Sequence, residues 1–121
     1  MQVLIVQSRL ELGRLWQCHL HRLGLQAEVV ATPDDAIDFM ALNSIETIVL
    51  DLELCGGSAV NVADYASYRH PEARVVFVTS RSFFSDGSIF AHFANARAFL
   101  PAATPPEDLA TLVQHYCAEG C

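Results

Sequence analysis

The sequence predicts an α/β domain: a five-stranded parallel sheet, doubly wound, with helices on both faces in a (βα)5 three-layer sandwich. Short apolar runs alternate five times with longer stretches of helical period, which is the signature of βα units around a parallel sheet. Two of the runs, Thr47-Ile48-Val49-Leu50 and Val75-Val76-Phe77-Val78, are apolar without a break, as strands covered on both faces are, so these two are expected at the centre. Hydrophobic residues make up 52% of the chain and charged residues 17%, a balance that excludes disorder and suits a largely interior sheet. The 121 residues fit one domain, 1–121, large enough to bury a core without staples. No repeat, linker or low-complexity segment divides it.

The strand candidates are residues 2–6, 27–31, 46–51, 74–79 and 97–100. The first helix carries Leu12, Leu15, Trp16, Leu20 and Leu23 on one face and is closed by Gly24 as a left-handed cap. The second opens with Thr32 as N-cap, Pro33 at the first helical position and Asp35 at the third, and runs to about residue 43. A third spans 59–69 and stops before Pro71, because the residue preceding a proline disfavours the helical region. The fourth segment, 85–94, is the least regular, with Gly87 in its first turn and bulky groups on more than one face. In the last helix Thr104, Pro105 and Glu107 read as a capping box, followed by Leu109, Leu112, Val113, Tyr116 and Cys117 at helical spacing.

Charge and composition narrow the function classes. A formal net charge of −7 argues against nucleic acid and anionic membranes, whose binding rests on clustered Lys and Arg, and leaves proteins as the expected partners. All seven cationic side chains are Arg and none is Lys, which excludes a Walker P-loop and a Schiff-base enzyme. Cys18, Cys55, Cys117 and Cys121 show no CxxC and no zinc spacing, and read as reduced thiols. With Met1 leading straight into Val3-Leu4-Ile5-Val6 and no apolar run of spanning length, the chain is expected to be cytoplasmic. No Ser-His-Asp or Cys-His constellation can be assigned from spacing, so no enzyme activity is expected.

In an open parallel sheet, reactive groups gather at the carboxyl ends of the strands. There Asp51 closes the third strand, and Thr79-Ser80 close the fourth. Together with Leu4-Ile5-Val6 before the first loop, Ile48-Val49-Leu50-Asp51-Leu52 with Gly56 beyond it, Val76-Phe77-Val78-Thr79-Ser80, and Phe99-Leu100 before Pro105, Glu107 and Leu109, this arrangement resembles the receiver domain of bacterial two-component response regulators, the CheY-like, flavodoxin-like fold, over nearly the whole chain. The resemblance implies that Asp51 is the phosphoacceptor served by a histidine kinase, that Thr79 is the switch hydroxyl, and that Phe99 is the switch aromatic.

Around that acceptor the sequence departs from the resemblance. The acidic pair that would hold Mg²⁺ reads Gln7-Ser8, neither of which supplies anionic oxygen to a hard cation. The lysine that would meet the phosphoryl oxygens aligns with Ala102, Cys55 replaces a proline in the following loop, and Ala59 replaces a glycine. Phosphoryl transfer depends on positioning and on neutralising charge, so efficient Mg²⁺-assisted phosphorylation is not expected. Asp51 with Glu53 would hold Mg²⁺ weakly at best, Arg81 and Arg97 are the cations considered for the pocket, and no cofactor is called for.

Of five histidines, His19 and His21 lie two apart, which on a helix sends the rings to different faces; no shared metal site is expected, and the histidines read as solvated. Phe83, Phe84, Phe90 and Phe93 with Ile89 exceed what one helical stripe buries, and point to a protein interface around Phe90 and Phe93. Since receivers use the fourth helix, fifth strand and fifth helix for docking, that face could also make a homodimer. The expected function is an atypical, stand-alone receiver-like module acting through protein contacts as adaptor, sink or decoy. The alternative is a working receiver phosphorylated at Asp51 by a histidine kinase. A flavin carrier of the same topology would need a Ser/Thr/Gly-rich loop after the first strand, and Gln7-Ser8-Arg9-Leu10-Glu11 is not one.

Overall fold

The computed structural model describes residues 2–51, 59–70, 72–79, 96–101 and 104–119. Five parallel strands, β1 (Gln2–Val6), β2 (Gln26–Val30), β3 (Thr47–Asp51), β4 (Arg74–Thr79) and β5 (Ala96–Pro101), form one sheet in the order β2-β1-β3-β4-β5. Four described helices, α1 (Leu10–Arg22), α2 (Pro33–Leu42), α3 (Ala59–Arg69) and α4 (Pro106–Glu119), connect or follow them. The expected α/β class and parallel sheet are therefore present, with β3 in the middle and β1 and β4 on either side. The irregular segment 85–94 lies outside the described residues.

The unbroken apolar runs follow from two-sided burial. Leu4 and Val6 of β1, Ile48 and Leu50 of β3, and Val75 and Phe77 of β4 pack with Ala36 and Met40 of α2 and Val62, Ala63 and Ala66 of α3. Val3, Ile5, Val49 and Val78 point the other way, onto Trp16 and Leu20 of α1 and Leu109, Ala110 and Val113 of α4. Successive strand residues alternate between faces, so each central strand feeds both cores and has no room for polar alternation. Edge strand β2 is only partly covered, and it accordingly reads Gln-Ala-Glu-Val-Val.

Helix ends carry local instructions. Thr32 Oγ1 accepts from the Asp35 N–H at 3.2 Å, capping α2 with Pro33 as its first residue. At the end of α1, Gly24 adopts φ +84°. Its N–H donates to the His21 carbonyl at 3.0 Å, and the Leu25 N–H donates to the Leu20 carbonyl at 3.1 Å. This is the paired hydrogen-bond pattern of a Schellman motif. It turns the chain so that Leu25 packs with Leu20 in the same core.

Three expectations change. Leu15 is 45% exposed, because α1 buries the line Gly13, Trp16 and Leu20, and Leu15 stands about 100° round the helix from Trp16. Leu23 lies past the last helical residue and is also exposed. The last helix starts at Pro106, with the Pro105 carbonyl accepting from the N–H groups of Asp108 at 3.0 Å and Leu109 at 3.1 Å. Pro105 precedes a proline and is thereby kept out of the helical region, so the start moves one residue beyond the expected Thr104-Pro105 cap. The His70 ring, expected in solvent, meets the Met40 carbonyl at 2.7 Å and ties the end of α3 to α2.

Gly13 permits the approach of α1 to the sheet. A Cβ there would lie 2.8 Å from Val29 Cγ1 and 3.4 Å from Gln7 Cβ. Valine is stiff at χ1 and yields little. Gly13→Ala is expected to lower stability by about 1 kcal/mol through overpacking, whereas in a Val29→Ala background the same change is expected to raise it, as helix propensity then dominates. Urea denaturation of the four variants in the cycle reads the change of sign. Thr32→Ala is expected to cost about 1 kcal/mol in the same assay, the usual loss of an N-cap.

Candidate functional site

The site forms where β1 and β3 end. Parallel pairing sets Val6 beside Leu50, so the next residues, Gln7 and Asp51, leave neighbouring strands side by side. Asp51 also pairs in register with Val78 of β4. Strand alternation places Asp51 on the side of Val49, which faces α1 and α4. The carboxylate is buried, at the carboxyl end of a strand whose every residue is buried.

Gln7 and Ser8 follow β1 and are committed to local bonds. The Gln7 backbone N–H donates to the Val30 carbonyl at 3.0 Å, extending the β1–β2 ladder by one residue. Its side-chain Oε1 accepts from the Arg9 N–H at 3.0 Å, while Ser8 Oγ donates to the Ala31 carbonyl at 2.9 Å. Gln7 is 1% exposed, and its Nε2 has no hydrogen-bond partner among the described residues. The bond from Arg9 fixes which end of the carboxamide is oxygen, so it is the amide donors that are left unpaired.

Arg9 is a residue that sequence reasoning missed. Its guanidinium Nη2 stands 3.9 Å from Asp51 Oδ2, a cation at this pocket besides Arg81 and Arg97, the two that the sequence suggests. The separation is an ion pair too long for a hydrogen bond. Arg9 is the residue immediately before α1, in extended backbone, and its side chain is 64% exposed. The signal was present as an Arg three residues past the end of the first strand. What hid it was that a long flexible side chain gives no indication in sequence of the direction it takes.

Mg²⁺, which the resemblance implies, is poorly matched by this donor set. A hard divalent cation seeks several oxygen ligands, carboxylates first. Gln7 Oε1 and Ser8 Oγ are engaged with backbone groups, and a guanidinium stands beside the carboxylate in place of a second anion. No group of three His, Cys, Asp or Glu able to hold a metal occurs among the described residues.

Thr79 ends β4 opposite Pro101, and Phe99 lies in β5 opposite Phe77; the side chains of Thr79, Phe99 and Arg97 lie outside the described part. Glu53, Cys55, Arg81, Phe90, Phe93 and Ala102 also fall outside the described residues, so the site is built here from Gln7, Ser8, Arg9 and Asp51. No helix among the described residues is long and apolar enough to cross a membrane.

Comparison with known proteins gives a consistent picture of the fold. No protein-family model matches the chain. It is 28% identical over 76 residues to the regulatory protein LuxO of Vibrio vulnificus, an alignment covering 63% of this chain and 17% of LuxO. The chain thus spans under a fifth of the length of the curated relatives it matches. Among solved structures it is similar to the signal receiver domain of a LuxO repressor protein from Vibrio parahaemolyticus, with TM-score 0.87, 24% identity, and 98% and 91% of the two chains covered. It is equally similar, at TM-score 0.87 and 19% identity, to a CheY-like response regulator receiver domain protein from Methanospirillum hungatei, with 98% and 94% covered. The strand order, the carboxylate closing the central strand and these likenesses agree on the fold: the chain adopts the CheY-like fold of receiver domains.

Proposed function

We propose that the chain works as an atypical receiver module that signals through protein contacts and is not efficiently phosphorylated with Mg²⁺. One observation carries this reading: at the top of β1, where a receiver would hold its metal, stand Gln7 and Ser8, both hydrogen-bonded into the backbone. A metal-assisted transfer needs anionic oxygens around the cation, and the pocket's described residues offer one carboxylate. The absence of any Lys in the chain removes the second customary source of positive charge on the phosphoryl oxygens.

A histidine kinase or another signalling protein is the partner class that suits the fold. The aromatic segment around Phe90 and Phe93, with β5 and α4, is the surface we assign to such contacts or to a homodimer. Sedimentation velocity across a concentration series tests the dimer. Self-association that Phe93→Asp abolishes is the expected outcome, and a monomer at every concentration with unchanged solubility in the variant would refute it.

A second reading, a working acceptor at Asp51, is favoured by the guanidinium of Arg9 beside the carboxylate. Intact mass after incubation with acetyl phosphate separates the two. The module reading expects no gain in phosphoryl adduct on adding millimolar Mg²⁺. A rapid Mg²⁺-dependent adduct, lost in Asp51→Asn, would establish the working acceptor instead.

A further inference from the structure

Two residues with donors unpaired among the described residues stand beside one buried carboxylate: Gln7, next to Asp51 across the β1–β3 pair, and Arg9, 3.9 Å from it. Gln7 carries amide protons that are buried and unpaired among the described residues, although its oxygen is satisfied. Leaving such a donor without an acceptor costs about 1–3 kcal/mol. Of the two other buried donors unpaired among the described residues, Arg74 Nε lies at the start of β4, at the opposite end of the strand from the site, and Trp16 Nε1 belongs to a side chain packed among apolar groups, where bulk accounts for the residue. The Gln7 oxygen is accounted for by the Arg9 N–H from which it accepts, but its buried amide donors are not. On the exposed side, Arg9 brings a guanidinium to within ion-pair distance of Asp51 without hydrogen-bonding to it, so its planar fork of donors is uncommitted.

We propose that Gln7 and Arg9 make the space over Asp51 a metal-free oxyanion site, in which the Gln7 amide and the Arg9 guanidinium donate to the oxygens of a phosphoryl group carried by Asp51. This rests on the reading above that the pocket does not use Mg²⁺, and it names what serves in the cation's place. The chemistry balances without a metal. An Asp51 oxygen attacks phosphorus in an acyl phosphate, the bond from phosphorus to the leaving carboxylate oxygen breaks, and a free carboxylate departs with the electron pair. Charge is conserved in the step, and no proton is needed. A guanidinium matches phosphate oxygens in a two-pronged geometry that a point charge does not. Arg9 lies on the solvent side, where an incoming phosphoryl group would arrive, and Gln7 lies on the buried side, so the two donors would grip opposite edges of the group.

Beryllium fluoride, which forms a tetrahedral phosphoryl mimic on a carboxylate, is the probe. Fluorine NMR of the full chain with EDTA present is expected to show bound fluoride, lost in Asp51→Asn, together with a shift of the Gln7 side-chain amide protons in a nitrogen-15 correlation spectrum. Arg9→Ala is expected to weaken binding about tenfold or more, the loss of one charge-assisted contact, and Arg9→Lys is expected to recover part of it. Gln7→Glu keeps the acceptor for the Arg9 N–H and so preserves the loop. It removes the buried donors and adds an anionic oxygen, and is expected to abolish metal-free binding while creating a requirement for Mg²⁺. Binding in the wild type only with Mg²⁺ would overturn both this proposal and the functional reading beneath it. Metal-free binding untouched by Arg9→Ala and Gln7→Glu, or no binding under either condition, would overturn this proposal alone and leave the interaction module standing.

Discussion

A carboxylate closes a strand that is otherwise apolar and wholly buried, and the top of the sheet is arranged around the charge this leaves. Moving an ionised carboxyl group away from water is costly unless something nearby offsets it. β3 is the middle strand, flanked by β1 and β4 and covered by helices on both faces, so compensation has to come from the strand ends and loops beside it. Arg9 supplies part of that compensation. Because its guanidinium is mostly in water, the pair is screened and adds little to stability, which leaves Arg9 available for other oxygens.

The geometry that delivers Arg9 is set by packing at some distance from it. Gly13 lets α1 lie close against Val29 and the stem of Gln7, and Trp16 and Leu20 anchor the same helix in the core beneath. With α1 fixed, its preceding residue is held above the end of β3, and the Gln7 oxygen pins the Arg9 backbone there. A glycine that weakens a helix by propensity thus serves the site through proximity. The two cores on either side of the sheet are each fed by alternate residues of the same strands, so the register that places Gln7 beside Asp51 is locked by every apolar side chain below them.

The relationship to known receivers lies in the fold more than in the pocket. The chain superposes closely on receiver domains with modest sequence identity. The first two residues of the first loop, Gln7 and Ser8, are polar but uncharged and are bonded to backbone. Fold and site chemistry are separable properties, and the likeness to receivers is one of fold.

Much of the architecture was legible in the linear chain, because periodicity and caps are local. The unbroken runs in β3 and β4, the Thr32 cap and the left-handed turn at Gly24 all appear in the structure as short-range chemistry requires. So does the place of Asp51 at the end of the third strand. Local rules failed where a neighbour intervened: a second proline moved the start of α4, and the buried face of α1 was decided by which line of side chains meets the sheet, turning Leu15 outward and bringing Gly13 inward. The sequence by itself determined the alternating elements, the absence of lysine and the uncharged Gln7-Ser8 pair, since each is a matter of residue identity and spacing. Only the tertiary structure decided that Arg9 stands beside Asp51 and that the Gln7 amide is buried without an acceptor among the described residues, because both depend on where side chains point once strands distant in sequence lie next to one another.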